Sequence, residues 1–363
     1  MLYGRESGGV KRYLVSKHEW LTRLGMRHTV LVPGKRTSWQ KTDWPCVASL
    51  PLPSSGGYRL PLRLKKWANI LHALGPDLIE VGDPYHVAWM AKQVAREMKV
   101  PVVAFYHSDL PALLRTHLGA KAEKMAMRYL LRLYGDVDLI LAPSLVMTQK
   151  LLSLGLKQVR HQPLGVDTSV FHPGKKDPLW RQRLGLDKET RLLVYAGRFS
   201  KEKHIPELLE AMTLLGKPYH LLLVGSGKRF SLPANVTSMP YVAKGETLAT
   251  VLASADALVH AGDRETFGLV IVEAMACGLP VAAVGQAGVP ELVTPEVGIL
   301  APRARAQDLA EAAAALFAAD RQKMGANARR RAEDCYAWDK VLSSLLSSYQ
   351  ELIGYPRRQA VGG

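Results

Sequence analysis

Cysteine is scarce in this sequence: Cys46, Cys277 and Cys335 are the only three among 363 residues. They are odd in number and widely spaced, which argues against a disulfide framework or a cysteine-based metal site and points to a reducing cytoplasm. No apolar run approaches the roughly 18 to 20 residues that cross a bilayer. Arg5, Glu6, Lys11 and Arg12 interrupt the N-terminus, so no secretory signal is expected there. Zinc-ligand spacing, RNA-binding aromatic motifs and heptad basic regions are absent too, which counts against a nucleic-acid partner. Acidic residues are short in one half only. Residues 1–165 hold 24 Lys and Arg against 11 Asp and Glu, whereas residues 166–363 hold 24 against 21. The basic half suits an anionic surface such as lipid headgroups, which attract at up to about 1 kcal/mol per basic residue nearby. Solubility alone is the competing explanation of that charge.

What is present is an alternation of strands and helices, which argues for parallel sheets covered on both faces. A helix is predicted over Val10–Leu24 and a strand over His28–Val32. Residues 33–60 read as loop, with four prolines and Ser54-Ser-Gly-Gly57. A helix near Leu62–Leu74, the strand Asp77–Val81, a helix ending near Met98 and the strand Val100–Phe105 follow. A basic, Met- and Leu-rich helix at Lys121–Tyr134, the strand Leu139–Ala142, a helix over Ser144–Leu154 and the strand Val159–His161 finish the half. A hinge is read at 163–178, and the pattern then restarts. It gives strands at Arg191–Ala196, His220–Val224, Val236–Met239, Ala257–Val259 and Val281–Val284. Helices start at Pro206 and at Glu246, and others span Ala306–Ala318, Arg321–Asp334 and Trp338–Ile353. Gly225-Ser-Gly227 reads as a turn.

A glycine turn opening a helix is normally fed by a strand. Only three residues precede Gly4. The expectation is that an apolar strand is encoded upstream, because its absence would expose two sheet edges.

Chemistry concentrates in Glu265-Thr-Phe-Gly-Leu-Val-Ile-Val-Glu273. If helical throughout, its two carboxylates stand roughly 12 Å apart. That exceeds the roughly 5 to 9.5 Å between carboxyls flanking one glycosidic bond. It suits one long ligand gripped at two points. A helix N-terminus beside Phe267-Gly268-Leu269 offers N–H groups and a positive dipole end to a diphosphate. Arg198 and Lys203, placed in a strand-to-helix loop, add two cations. Gly8 and Gly9 would let backbone approach a charged ligand. Asp136-Val-Asp138 imitates a metal-binding pair, but turn and capping roles suffice for it.

Taken in order, Gly8-Gly9, Leu164-Gly-Val-Asp-Thr-Ser-Val-Phe-His-Pro173, Gly197-Arg198 with Glu202-Lys203, Glu265 with Glu273, and Gly278-Leu-Pro280 resemble the retaining GT-B glycosyltransferases of family four. The resemblance covers nearly the whole chain, and Tyr106-His-Ser-Asp-Leu-Pro111 is similar to its lipid-directed branch. It implies two Rossmann-like domains facing a cleft: residues 1–165 for the acceptor and 166–338 for the nucleotide sugar. The helix at 339–355 would return to the first domain, and 356–363 would be a disordered tail. It further implies Arg198, Lys203, Gly8, Gly9, Phe267, Gly268 and Leu269 on the donor diphosphate. Glu273 would hold the ribose, and Glu265 would lie near the sugar hydroxyls and the reacting carbon. His107 would reach the transferred sugar or the acceptor, with Asp109 orienting it or capping the turn. No metal or cofactor is expected beyond the nucleotide-diphosphate sugar as co-substrate. A hexose would pass with retention to a hydroxyl, by front-side attack assisted by the departing phosphate. The acceptor would be a membrane lipid or a cell-envelope precursor, and the protein would be cytoplasmic or peripheral on the inner membrane face. A nucleotide-sugar epimerase on the same fold and an inactive truncated binder remain the alternatives.

Overall fold

The computed structural model describes residues 8–40, 42–52, 58–82 and 84–354. The expectations for residues 1–7, for Ser54 to Gly57 and for the tail 356–363 fall outside them. Two compact units divide the chain: Met1–Pro163 with Val341–Gly363, and Leu164–Lys340.

The first unit runs α1 (Gly8–Arg23), β1 (Val32–Gly34), β2 (Cys46–Ala48), β3 (Leu50–Pro51), β4 (Arg59–Leu60), α2 (Leu64–Leu74), β5 (Ile79–Val81), α3 (His86–Met98) and β6 (Val102–Phe105). It continues through α4 (Leu110–Leu118), α5 (Ala120–Tyr134), β7 (Leu139–Ala142), α6 (Leu145–Ser153) and β8 (Val159–His161). Strands β5, β6, β7 and β8 pair in chain order as one parallel sheet. β6 and β7 are buried at every position, which is why they read Val-Val-Ala-Phe and Leu-Ile-Leu-Ala without alternation. Their neighbours in the core include Trp67, Leu130, Leu133 and Leu151. Ser144 caps α6 by accepting from the Met147 N–H.

The first unit departs from the sequence expectations in three places. Residues 33–60 are not all loop. β1 and β2 form a parallel pair there, and β3 and β4 an antiparallel one. The strand expected at His28–Val32 is regular only from Val32, although Val30 already donates to the Asp43 carbonyl at 2.9 Å. α4 was not expected at all, although Asp109 and Pro111 supply a cap and a first-turn proline.

The second unit runs α7 (Trp180–Arg183), β9 (Arg191–Phe199), α8 (Ile205–Leu215), β10 (Tyr219–Gly227), β11 (Val236–Pro240), α9 (Gly245–Ala253) and β12 (Ala257–His260). It continues through α10 (Leu269–Ala276), β13 (Val281–Val284), α11 (Val289–Leu292), β14 (Gly298–Ala301), α12 (Ala306–Ala318) and α13 (Arg321–Tyr336). α14 (Trp338–Ile353) leads from it back into the first unit at Val341. All six strands are parallel, in the order β11-β10-β9-β12-β13-β14. The chain builds outward from β9 to β11, then jumps back to β12 on the other side of β9. Loops leaving β9 and β12 therefore diverge, and the crevice at their carboxyl ends is where open α/β sheets bind ligands. Leu193, Leu221, Ile205, Met212, Leu309 and Leu316 fill the core around these strands. β14 and α11 were not expected.

The region read as a hinge is pinned to the junction of α13 and α14. Val166 N–H donates to the Tyr336 carbonyl at 2.7 Å, and Trp338 N–H donates to Val166 at 3.2 Å. A Cβ at Gly165 would stand 2.4 Å from the Trp338 ring, so only glycine fits there.

Candidate functional site

The switch point between β9 and β12 gathers most of the chemistry of the second unit. β9 does not stop at Ala196 but continues through Gly197 and Arg198 to Phe199. Arg198 is therefore on a strand end rather than in a loop, and its guanidinium is exposed. The Tyr195 hydroxyl donates to the Arg198 carbonyl at 3.0 Å and steadies that end. A single 3-10 turn, Lys201–Lys203, then carries Lys203, and His204 follows with φ +50 before α8 begins. Gly225-Ser226-Gly227 is not a turn but the end of β10, paired in register with Gly197-Arg198-Phe199. At Gly225 φ is +157 and a Cβ would lie 1.8 Å from the Gly197 carbonyl oxygen. Glycine there allows the two strand ends to approach beside Arg198.

From the other side, β12 ends at His260 and delivers Glu265 five residues on. The Glu265 carboxylate accepts from the Lys203 ammonium and, at 2.8 Å, from His260 Nε2. His260 is 1% exposed, lies parallel to the Tyr195 ring at 5.9 Å, and uses its Nε2–H for this bond. Burial alone would raise the Glu265 carboxyl. The Lys203 charge and the His260 hydrogen bond outweigh it and hold the group well below the usual carboxylate range. Glu265 is thus a fixed anion at neutral pH and cannot serve as a proton donor there. Next to it His204 spans Asp263 at 3.1 Å and Glu207 at 3.2 Å, which ties the loop after β12 to the start of α8. Glu202 accepts from Ser200 at 2.6 Å. Burial opposes its ionisation, and that hydrogen bond with the nearby Lys203 and Arg198 lowers its pKa on balance.

The helix in the Glu265 stretch begins only at Leu269. The twelve-ångström helical climb between Glu265 and Glu273 is therefore corrected: Glu265 sits in the preceding loop, and Leu269 to Glu273 rises about 6 Å, one turn. Gly268, with φ +105, turns the chain into α10. Phe267 is buried edge-on against Tyr336 at 5.7 Å, so its side chain packs rather than reaching a ligand. In the first turn of α10 the Ile271 N–H donates to the Gly268 carbonyl at 2.9 Å, whereas Leu269 and Val270 have no earlier carbonyl of the helix to bond. Glu273 is 1% exposed on α10. Burial and the Glu273 charge push the neighbouring Cys277 thiol up to about 12.

The remaining expected residues lie in the first unit. Gly8 and Gly9 are not a turn ahead of the helix; they are already in α1, at the first described positions. His107 lies two residues past the end of β6, its ring stacked on Phe105 at 4.2 Å and tilted against Tyr13 at 5.2 Å. Burial, with Lys17 nearby, pulls its pKa down to about 4, so it is neutral at pH 7. Asp109 does not orient His107 through any hydrogen bond between described residues. Its carboxylate caps α4 at Ala112, accepts from the Tyr106 hydroxyl at 3.0 Å and pairs with Lys150. Asp138 accepts from the Val102 N–H at 2.7 Å, and Asp136 pairs with Lys92 and Arg96.

Two groups of functional character escaped the sequence reading. His260 stands at the end of a buried strand five residues before Glu265, a position that could have flagged it. The second group is a buried network in the first unit. Lys17 donates to Glu80 at 2.8 Å, and Tyr13 and Tyr349 also donate to that carboxylate. Burial opposes the Glu80 charge, but Lys17 and Tyr349 hold its pKa below the ordinary value. Its members come from positions 13, 17, 80 and 349, so no local pattern announces it.

Comparison with known proteins covers both units. Residues 7–170 match the family described as Glycosyltransferase Family 4, and residues 176–331 match Glycosyl transferases group 1. A GDP-mannose-dependent alpha-mannosyltransferase of Mycobacterium tuberculosis is 28% identical, over 97% of this chain and 95% of its own. A GDP-mannose-dependent alpha-(1-6)-phosphatidylinositol dimannoside mannosyltransferase of the same organism is 28% identical, over 95% and 93%. Among solved structures, the sucrose-phosphate synthase of Thermosynechococcus elongatus superposes with a TM-score of 0.81 at 23% identity, over 98% and 96% of the two chains.

Proposed function

The chain belongs to the group 1, family 4 glycosyltransferases of GT-B fold, and from that premise we propose that it moves a mannosyl group from GDP-mannose to a lipid hydroxyl. It is a retaining hexosyltransferase that takes its sugar from a nucleotide-sugar donor. The guanosine and mannose parts of the proposal draw support from relatives of nearly equal length that are named GDP-mannose-dependent. The lipid part draws support from the phosphatidylinositol dimannoside acceptor in one of those names. It also fits the exposed face of α5, where Lys121, Lys124, Arg128 and Arg132 accompany Met125, 69% exposed. Opposite them, Ala126, Leu130, Leu133 and Tyr134 pack inward. Such a face combines charge attraction to anionic headgroups with apolar insertion. No helix among the described residues is long and apolar enough to cross a membrane.

The observation that carries the reading is the Lys203–Glu265–His260 cluster beside exposed Arg198, at the switch point of the second sheet. Arg198, Lys203 and the Leu269 and Val270 amides at the start of α10 receive the diphosphate in this proposal. Glu265, kept ionised, accepts hydrogen bonds from sugar hydroxyls and faces the positive charge that develops at the anomeric carbon. Glu273, one turn along α10, takes the ribose. Gly8, Gly9 and His107 are assigned to the donor and acceptor from the first unit. The anomeric carbon–phosphate oxygen bond breaks and a bond to the acceptor oxygen forms on the same face. The acceptor proton passes to the departing phosphate oxygen, and GDP leaves. Rate then comes from positioning and fixed charge.

The test is incubation of purified protein with radiolabelled GDP-mannose or UDP-glucose and a bacterial lipid extract. The expected result is label in the organic phase from GDP-mannose alone. Label confined to water-soluble product, or release of nucleotide with no acceptor product, overturns the proposal.

A further inference from the structure

The two cations assigned above to the diphosphate already face carboxylates of their own unit. Against the pull of burial, Arg198 and Lys203 help to hold Glu202 ionised, and Lys203 with His260 does the same for Glu265. The formal charges of Arg198, Lys203, Glu202 and Glu265 cancel. The one direct contact among the four is from the Lys203 ammonium to Glu265 Oε1.

The surroundings of that pair decide which member can move. Glu265 Oε1 also accepts from His260 Nε2 at 2.8 Å, and the His260 ring is buried and lies parallel to that of Tyr195. Gly262 lies across all three groups: a Cβ there would stand 2.9 Å from His260 Nε2, 3.2 Å from Glu265 Oε1 and 3.3 Å from Lys203 Cδ. The carboxylate is therefore clamped. Lys203 ends a short 3-10 turn, and its charge sits on a flexible four-carbon stem. Keeping Glu265 while a diphosphate arrives would set two anions side by side where both side chains are largely buried and repulsion is poorly screened. A change of partner avoids this, with His260 still holding Glu265. A nucleotide sugar compensates Glu265 with hydroxyl donors. The nucleotide left after transfer has no such hydroxyl to offer.

We propose that Glu265 and the bound diphosphate compete for Lys203. The cation passes to the diphosphate when the donor enters, and Glu265 draws it back once the sugar has left, which loosens the product. The inference rests on the donor site assigned above. It gives Glu265 a second task, to limit how long the departing nucleotide is retained.

A double-mutant cycle on product affinity tests this, read by calorimetric titration with GDP and, separately, with UDP. Glu265→Gln keeps the size of the side chain and an acceptor for His260 but removes the charge that holds Lys203. Its affinity for the nucleotide is expected to rise about tenfold, because a charge-assisted hydrogen bond no longer has to be surrendered on binding. In a Lys203→Met background the same change should alter affinity by less than about twofold. An equal gain in both backgrounds reports repulsion at a distance, and an unchanged or weaker affinity in the single variant reports a structural role; either overturns the competition. Crystals of the parent soaked with the bound nucleotide need no variant. Lys203 Nζ on the diphosphate supports the exchange, and Lys203 still on Glu265 overturns it. These failures leave the donor site standing, whereas a parent that binds neither GDP nor UDP overturns the donor site and the competition together.

Discussion

Replacing Lys203 with methionine keeps the length of the side chain and removes its charge. Glu265 then remains an anion among groups that exclude water, with His260 as its main partner. Breaking a fully buried ion pair costs about 3–5 kcal/mol. Here the Lys203 and Glu265 side chains are 17% and 15% exposed, so solvent recovers part of it and about 2–3 kcal/mol is expected. At about 2–4 °C per kcal/mol for a unit of this size, melting of the second unit falls by about 5–10 °C. The dependence on pH gives the reasoning its sharpest check. In the native protein Glu265 has a folded pKa below its unfolded value of about 4.3. Its contribution is complete above that value and is lost only as pH falls below it. In Lys203→Met, burial is less opposed and the folded pKa climbs, so protonation relieves the mutant as pH falls. The gap between the two proteins should therefore narrow from pH 7 towards pH 5. Adding Glu265→Gln removes the stranded charge, and the double mutant should recover about 1–3 kcal/mol relative to additivity. Nucleotide binding should weaken about 10- to 150-fold, the loss of one charge-assisted hydrogen bond to phosphate. Calorimetric scans at three pH values with nucleotide titrations measure all of this. A melting point within about 1 °C of the parent, with a gap independent of pH, refutes the account.

Gly225→Ala should destabilise the second unit by about 2–4 kcal/mol and weaken nucleotide binding, because the added methyl collides with the Gly197 carbonyl behind Arg198; denaturant titration reads the first effect and calorimetric titration the second. His107 has a folded pKa of about 4 against about 6.5 unfolded, so the unfolded chain takes up the proton first and stability drops as pH falls between those values. The loss should reach about 2 kcal/mol at pH 5, and His107→Phe, which keeps the stack on Phe105, should flatten that slope in urea melts. Charge reversal by Lys121→Glu with Arg128→Glu should abolish flotation with anionic liposomes and leave binding to soluble nucleotide unchanged; equal flotation of both proteins removes α5 from the membrane surface.

Much of the architecture was legible where burial is complete. Leu139–Ala142 and Trp338–Ile353 were bounded to the residue, because one is an uninterrupted apolar run and the other an amphipathic repeat between breaks. β2, β3 and β4 were not, since strands of two or three residues among prolines carry no readable period. α4 is announced by the Asp109 cap and the first-turn Pro111, both inside the Tyr106–Pro111 motif, rather than by a long apolar period. Arg198 and Lys203 were read as sharing one strand-to-helix loop, but the extension of β9 through Gly197 to Phe199 depends on pairing with Gly225 and Gly227, 28 residues on in the sequence. The Lys203–Glu265 pair could not have been read either, because 62 residues separate its members. The burial of Lys17 is invisible to periodicity, which counts apolar positions, because it depends on Glu80 and Tyr349.

The last helix changes the order in which this protein can be assembled. Tyr349 reaches Glu80 across 269 residues, and Gln162 donates to the Val341 carbonyl across 179. On a ribosome the second unit emerges whole and can close its own sheet, whereas the first must wait for a segment made after it. Until α14 arrives, Tyr13 and Lys17 are the hydrogen-bond partners left to the Glu80 carboxylate among the described residues, and the newborn first half is the part most in need of a chaperone.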